Sequence, residues 1–220
     1  MVRVVCLLIG YVFGLFQTSY IYGRMHGIDI REHGSGNAGT TNALRTLGRK
    51  AGLITLAGDC LKCIFAVLVV RLLFGASHPD MIKLLTVYAA AGTILGHNFP
   101  FYLGFRGGKG IAATAGLILS FDWRITLICA AVFFTILFTT HYVSLGSILV
   151  YVFFLGSTLI LGEMGFFPMA EAYRYEMYLV IALLAILAVW EHRGNIKRLL
   201  SGTEHKTYLG KKKESEPQKQ

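Results

Sequence analysis

Between Gly34 and Arg45 the chain reads GSGNAGTTNALR, which gathers three glycines, five hydroxyl or amide side chains and one arginine into a dozen positions. Glycines let successive backbone N–H groups converge on one point, and such a nest holds phosphate. Ser35, Asn37, Thr40, Thr41 and Asn42 add neutral donors, and Arg45 adds a planar cationic fork. Gly36 completes the permissive backbone. The chemistry to expect is the cradling of a phosphate. The plainer reading, a flexible polar linker, leaves the arginine without a purpose.

Two further polar stretches carry chemistry. GHNFPFYLGFRGGKG runs from Gly96 to Gly110, with His97 and Asn98 at the end of an apolar run, a helix-breaking Pro100, and Gly107, Gly108 and Gly110 around Lys109. A mobile ammonium between glycines, followed by a helix whose N-terminus favours anions, is a second phosphate-type arrangement. It lacks the GxxxxGK[ST] spacing of a Walker loop. His97 fits a helix-end hydrogen bond as well as it fits chemistry. The third stretch, HRGNIKRLLSGTE from His192 to Glu204, puts His192, Asn195 and Leu199 on one helical face, with Arg193, Lys197 and Arg198 around it. A titratable ring beside an amide can handle a proton or orient a hydroxyl. A bare topology signal is the plainer alternative.

What must position these stretches is a membrane bundle. Of 220 residues 55% are hydrophobic and 15% charged, and the mean hydropathy is +0.58; soluble domains carry about 25% charged residues. Apolar runs cover roughly 4–22, 53–74, 84–97, 110–120, 125–140, 145–162 and 177–190. A full span needs about 20 residues, so several of these helices are short, and the fourth is barely half a span. Short, glycine-rich helices persist at membrane depth when protein or a wet cavity covers their backbone. The expected fold is therefore all-α and integral to the membrane, with about seven short helices lining a polar pocket. Basic residues concentrate in 23–50, in 96–110 and after Glu191, while 75–83, 121–124 and 162–176 are poor in them. The positive-inside rule then places the N-terminus outside and the C-terminus in the cytoplasm. Five crossings stay open if the fourth and fifth runs form one re-entrant unit. All three polar stretches fall on the cytoplasmic side.

Residues 1–22 read as a span and not a cleaved leader, because the run is long, holds Gln17 and leads directly into the glycine stretch. Cys60 and Cys63 form a CxxC inside an apolar run, without a second pair or a nearby histidine; buried small hydrophobes are the expectation. Asp59 and Lys62, three residues apart, share a helix face and should pair in the interior. Arg71 should snorkel to the interface. Residues 1–204 read as one polytopic domain and 205–220 as a polar, lysine-rich tail near anionic lipid headgroups, with no nucleic-acid partner.

The three stretches, in this order and spacing, resemble the motifs of the bacterial acyl-phosphate:glycerol-3-phosphate acyltransferase family (PlsY). They cover about a fifth of the chain, and the likeness in hydropathy, including Gly58, Asp59 and Lys62, extends over nearly all of it. The resemblance implies an enzyme of the bacterial cytoplasmic membrane that moves a fatty acyl group from acyl phosphate to the 1-hydroxyl of sn-glycerol 3-phosphate. The products would be 1-acylglycerol 3-phosphate and phosphate, in the first acylation of phospholipid synthesis, with no cofactor. It implies membrane lipids as neighbours and a functional link to the enzyme supplying acyl phosphate. Ser35, Gly36 and Asn37 would hold the acyl-phosphate head. Arg45 and Lys109 would bind phosphate, Ser147 assisting. His192 and Asn195 would orient the glycerol, braced by Arg198 and Glu204. Two positions depart from the pattern: Cys63 stands where a glycine is expected, and His141, before Tyr142, where an arginine is expected.

Several motifs of other chemistries are missing. No HxxxxD pair, HExxH zinc site or GxSxG elbow occurs in the sequence. The rival function is a transporter of an organic phosphate. Transporters commonly carry internal repeats around a site at mid-membrane, whereas these stretches gather on one side. A basic lipid-binding scaffold would leave the glycine stretches unexplained.

Overall fold

The computed structural model describes residues 1–208, whose regular elements are all helices with no strand. Ten α-helices follow one another: α1 (Val2–Gly14), α2 (Thr18–Met25), α3 (Thr40–Leu47), α4 (Arg49–Phe74), α5 (Ile82–Asn98), α6 (Ile111–Phe121), α7 (Trp123–Thr140), α8 (Val143–Glu163), α9 (Glu171–Glu191) and α10 (Arg193–Leu200). Five stretches are long and apolar enough to cross a membrane, namely α1 with α2, α4, α7, α8 and α9. Their outer surfaces expose large apolar side chains such as Leu8, Leu72, Phe138, Val152 and Ile186. Contiguous apolar surface of this extent belongs against lipid and not water.

Each apolar run becomes a helix, and the first one breaks. At Gln17 the chain turns between α1 and α2, which frees carbonyls that lipid cannot satisfy. The fully buried Gln17 amide lies against one of them and two more at the end of α5, with Nε2 3.2 Å from Gly14 O, 3.2 Å from Gly96 O and 3.0 Å from His97 O. Lys62 Nζ donates to Phe16 O at 2.7 Å. The break is thus covered by protein.

The closest helix pair is α1 against α5. Gly10 and Gly14 face Gly92 and Gly96, so each helix presents a small-xxx-small ridge. A Cβ added at Gly10 would lie 1.8 Å from Ala89 O, and one at Gly92 would lie 2.0 Å from Leu7 O. Glycine here permits backbone-to-backbone contact. Gly116 does the same for α6 against α4, where a Cβ would meet Cys60 O at 2.3 Å and Cys63 Cβ at 2.9 Å. Cys60 and Cys63 are free thiols in this packing. With 11 residues, α6 is about 16 Å long, half a bilayer core. Asp122 ends it and caps α7, its Oδ1 accepting the Arg124 N–H at 3.0 Å.

One local difference from the sequence reading stands out. The glycine-rich stretch predicts loop through Arg45, but the loop ends at Gly39 and Thr40–Leu47 is helix α3. Its buried Asn42 and Ala43 and the contact of Leu44 with Gly52 fix it on α4. Asp59 and Lys62 pair as expected, Nζ to Oδ1 at 2.9 Å, with side chains 1% and 4% exposed. Arg71 is exposed and donates to Ser120 O at 2.8 Å, holding the end of α4 to α6.

Candidate active site

The three polar stretches meet around one cavity of about 820 Å³. Its polar end is lined by Ser35, Gly36, Asn37, Thr41, Arg45, Lys109, His192, Asn195, Arg198 and Glu204. Its walls continue along α6, α7 and α8 as Ala115, Leu119, Ala130, Phe134 and Val150. Cations and amides at one end of a long apolar slot match a molecule with an anionic head and a hydrocarbon tail.

The first stretch is shaped by Asn42. Its Nδ2 donates to Ile30 O at 3.0 Å and His33 O at 2.9 Å, while Oδ1 accepts the Ser35 N–H at 2.9 Å. Those bonds occupy the amide, so Asn42 holds the loop in shape and is corrected from the expected free donor. Gly34 and Gly36 take φ of +60° and +71°, the left-handed conformation that glycine adopts without strain. The Ser35 side chain is left exposed and Asn37 half-buried at the cavity.

In the second stretch the expected nest is also corrected. The Gly107 and Gly108 N–H groups donate to Asn98 O and His97 O, each at 3.1 Å. They satisfy orphan carbonyls at the end of α5 and do not face a ligand. These glycines instead allow close approach: a Cβ at Gly107 would lie 2.0 Å from His97 O. The Gly107 carbonyl receives the Ala38 N–H at 3.4 Å, which joins the second stretch to the first. Arg31, held by Asp29, adds a bond to Leu103 O at 3.0 Å. Arg31 pulls the Asp29 carboxyl down to about 2. Lys109 follows and reaches the cavity, with the start of α6 (Gly110, Ile111, Ala112) beside it.

In the third stretch Glu204 is the organiser. Its Oε1 accepts from Asn195 Nδ2 at 2.7 Å and Ser144 Oγ at 2.9 Å, and its Oε2 from Arg198 Nε at 2.7 Å. Burial alone would raise this carboxyl, but the bonds from Asn195, Ser144 and Arg198 hold it below its ordinary range. Because Asn195 turns its NH₂ to Glu204, its Oδ1 faces outward and accepts from Lys109 Nζ. Burial first, and then the neighbouring Arg198, lower the Lys109 ammonium, with Glu204 opposing. His192 is 3% exposed, and its Nδ1 lies 2.7 Å from Ala188 O. A carbonyl accepts only, so Nδ1 carries the hydrogen and Nε2 keeps its lone pair. Burial is the main reason the ring is pushed down to about 4, the Ala188 bond opposing and Lys109 adding to it.

Sequence reasoning missed three contributors. Ser144, one helical turn before Ser147, makes the bond to Glu204; Ser147 lines the cavity but donates to Val143 O at 2.8 Å. His205 and Thr207 lie in what reads as tail, yet Arg45 Nη2 donates to Thr207 Oγ1 at 2.7 Å and His205 O at 3.1 Å. The Thr207 N–H in turn donates to His141 O at 2.8 Å, and Tyr208 packs on the His141 ring. Residues 205–208 thus strap α3 to the end of α7. Residues 209–220 of the lysine-rich tail lie outside the described residues. His97 lines the cavity but lies buried beneath Gly108.

Comparison with known proteins agrees with this geometry. Residues 4–202 match the family described as Glycerol-3-phosphate acyltransferase. The chain is 43% identical over 215 residues to the glycerol-3-phosphate acyltransferase of Clostridioides difficile, covering 96% of this chain and 97% of that one. It is 41% identical over 211 residues to that of Halalkalibacterium halodurans, covering 95% and 97%. Among solved structures it is similar to PlsY, an integral membrane glycerol 3-phosphate acyltransferase, in the glycerol 3-phosphate form, with a TM-score of 0.79, 29% identity and coverage of 94% of this chain and 96% of that chain. The lysophosphatidic acid form of PlsY gives a TM-score of 0.77 at 29% identity, covering 94% and 95%. Matched over nearly its whole length, the chain belongs to the glycerol-3-phosphate acyltransferase family.

Proposed function

We propose that this chain transfers a fatty acyl group from acyl phosphate to the 1-hydroxyl of sn-glycerol 3-phosphate, releasing 1-acylglycerol 3-phosphate and phosphate. The observation that carries it is the Lys109–Asn195–Glu204–Arg198 network, with His192 beside it, at the mouth of an apolar slot. Both substrates bring phosphoryl charge of about −1.5 to −2, and uncompensated they repel. Lys109 and Arg45 supply the opposing charge, Ser35 and Asn37 neutral donors, and α6, α7 and α8 the groove for the acyl chain.

Acyl phosphate is a mixed anhydride whose phosphate leaves readily, so no covalent enzyme intermediate is required. The hydroxyl oxygen attacks the acyl carbon, the C–O bond to phosphate breaks, and the hydroxyl proton departs. Holding the two reactants in line supplies up to about 7–11 kcal/mol of the barrier. The His192 Nε2 lone pair accepts the hydroxyl hydrogen bond and aims its oxygen. A ring pushed down to about 4 is a weak proton acceptor, so the proton ends on the stronger base, the departing phosphate.

The chain would cross the membrane seven times, by α1 with α2, α4, α5, α6, α7, α8 and α9. The N-terminus lies outside, and the site faces the cytoplasm. The basic residues of 23–50, 96–110 and the segment after Glu191 support this orientation. The acyltransferase unit takes in Thr207, because the strap it anchors touches Arg45.

Purified protein given acyl phosphate and glycerol 3-phosphate, without added metal, should form acylglycerol phosphate. Turnover with acyl-CoA in place of acyl phosphate would overturn the donor. In inverted vesicles an impermeant thiol reagent should reach Ser35→Cys, and in right-side-out vesicles Ser77→Cys. Labelling of both from one side would refute the seven-span orientation.

A further inference from the structure

Beneath the site lies a buried cluster that the reaction above leaves unused. Asp59 and Lys62 of α4 meet Thr18 of α2 and His97 of α5. Lys62 Nζ has four partners, three of them close: Phe16 O at 2.7 Å, Asp59 Oδ1 at 2.9 Å and His97 Nδ1 at 2.8 Å, against 3.4 Å for Gly14 O. An ammonium has three N–H bonds and no lone pair, so this geometry fills it and makes His97 Nδ1 an acceptor. The alternative, a hydrogen on Nδ1 directed at Asp59, fails on distance, because Oδ1 is 3.7 Å away. It would also turn an N–H toward a cation. The neutral ring therefore carries its hydrogen on Nε2.

That N–H has no hydrogen-bond acceptor among the described residues. Nε2 packs against Gly108, where an added Cβ would sit 2.1 Å from it and 2.7 Å from Ala38 O, so the missing side chain leaves room beside it. His97 lines the cavity together with Asp59, Lys109 and Gly110. We propose that Lys62, seated by Asp59, locks His97 as the Nε2–H tautomer, and that this N–H is a fixed neutral donor to a phosphoryl oxygen of a substrate. His97 then differs in kind from His192: one ring is fixed to donate, the other to accept. The role is substrate binding for His97 and positioning for Lys62. It rests on the acyltransferase reading for which phosphoryl group is bound, that of acyl phosphate or that of glycerol 3-phosphate.

The test uses the full chain in lipid nanodiscs with ¹⁵N-labelled histidine, His97 being assigned by difference from His97→Gln. The free protein should show Nε2 protonated and Nδ1 bare, and Asp59→Asn/Lys62→Met should lose that fixed tautomer. Glycerol 3-phosphate, inorganic phosphate and a non-hydrolysable acyl phosphonate are then added separately. A shift of the Nε2–H signal with the phosphonate alone assigns the acyl-phosphate head, and one with glycerol 3-phosphate alone assigns the acceptor. In turnover assays His97→Phe should raise KM for that same substrate about tenfold or more, with kcat far less affected and His97→Gln partly restoring it. A hydrogen on Nδ1 in the wild type, an Nε2–H signal unmoved by all three ligands, or unchanged KM values in a folded His97→Phe would each overturn the proposal. Should His97→Phe not fold, the wild-type spectra decide. Wild-type protein that shifts with phosphate but turns over no acyl phosphate would refute the reaction and leave the donor standing.

Discussion

Replacing Lys109 with methionine is expected to lower kcat/KM for acyl transfer by about 10²–10³-fold, the usual effect of removing one charge-stabilising donor, while the protein stays folded. Lys109 sits on a loop between glycines, outside the helix core, and its bond to a side chain is to Asn195 Oδ1. Asn195 remains tied to Glu204 after the change, so the network behind it survives. What disappears is the ammonium that meets developing phosphate charge at the mouth of the slot. Methionine keeps most of the stem, which separates lost charge from lost packing. Lys109→Arg adds a test of shape: it restores charge but brings a wider, planar head, and partial activity is the expected result. Arg45→Ala should be similarly severe, with the additional loss of its bonds to His205 and Thr207. The measurements are steady-state rates against each substrate and a thermal unfolding midpoint. A folded Lys109→Met enzyme with near wild-type kcat/KM would remove Lys109 from the reaction.

What the sequence discloses and what it conceals divide along a physical line. Local chemistry is legible. Apolar runs become helices because lipid admits little else, and the i, i+3 spacing of Asp59 and Lys62 yields their ion pair. The face shared by His192 and Asn195 follows from the helical period in the same way. The glycine pairs Gly10/Gly14 and Gly92/Gly96 are equally visible as spacing, and what they contact appears once α1 meets α5. Long-range partners are not legible. Ser144 and Glu204 are 60 positions apart, and Arg45 and Thr207 are 162 apart. No period connects such residues. Composition misled in two places. A run of glycines at Gly107–Gly108 suggests a phosphate nest, but its N–H groups close off α5. A basic tail suggests a place among lipid headgroups, but Thr207 is 7% exposed beneath Arg45.

His192→Ala is expected to reduce kcat by about 10²-fold, the cost of misplacing a reacting hydroxyl, with a smaller change in KM. The ring cannot turn freely, because Nδ1 is held by Ala188 O at 2.7 Å. Its Nε2 is therefore a fixed acceptor, and it stays neutral through the physiological range because burial pushes the group down to about 4. Two roles can be told apart. If His192 aims the hydroxyl and the leaving phosphate takes the proton, His192→Gln places an acceptor at a similar reach and should recover part of kcat. A residue that must carry the proton itself would leave His192→Gln as inactive as His192→Ala. Asn195→Ala offers the control on geometry: it removes the partner of both Lys109 and Glu204 while leaving the bond to Ala188 intact. Its damage should appear chiefly in KM for the phosphate-bearing substrates. Wild-type kcat in folded His192→Ala would show that the hydroxyl is oriented by another group, and Asn195 would then be the first residue to examine.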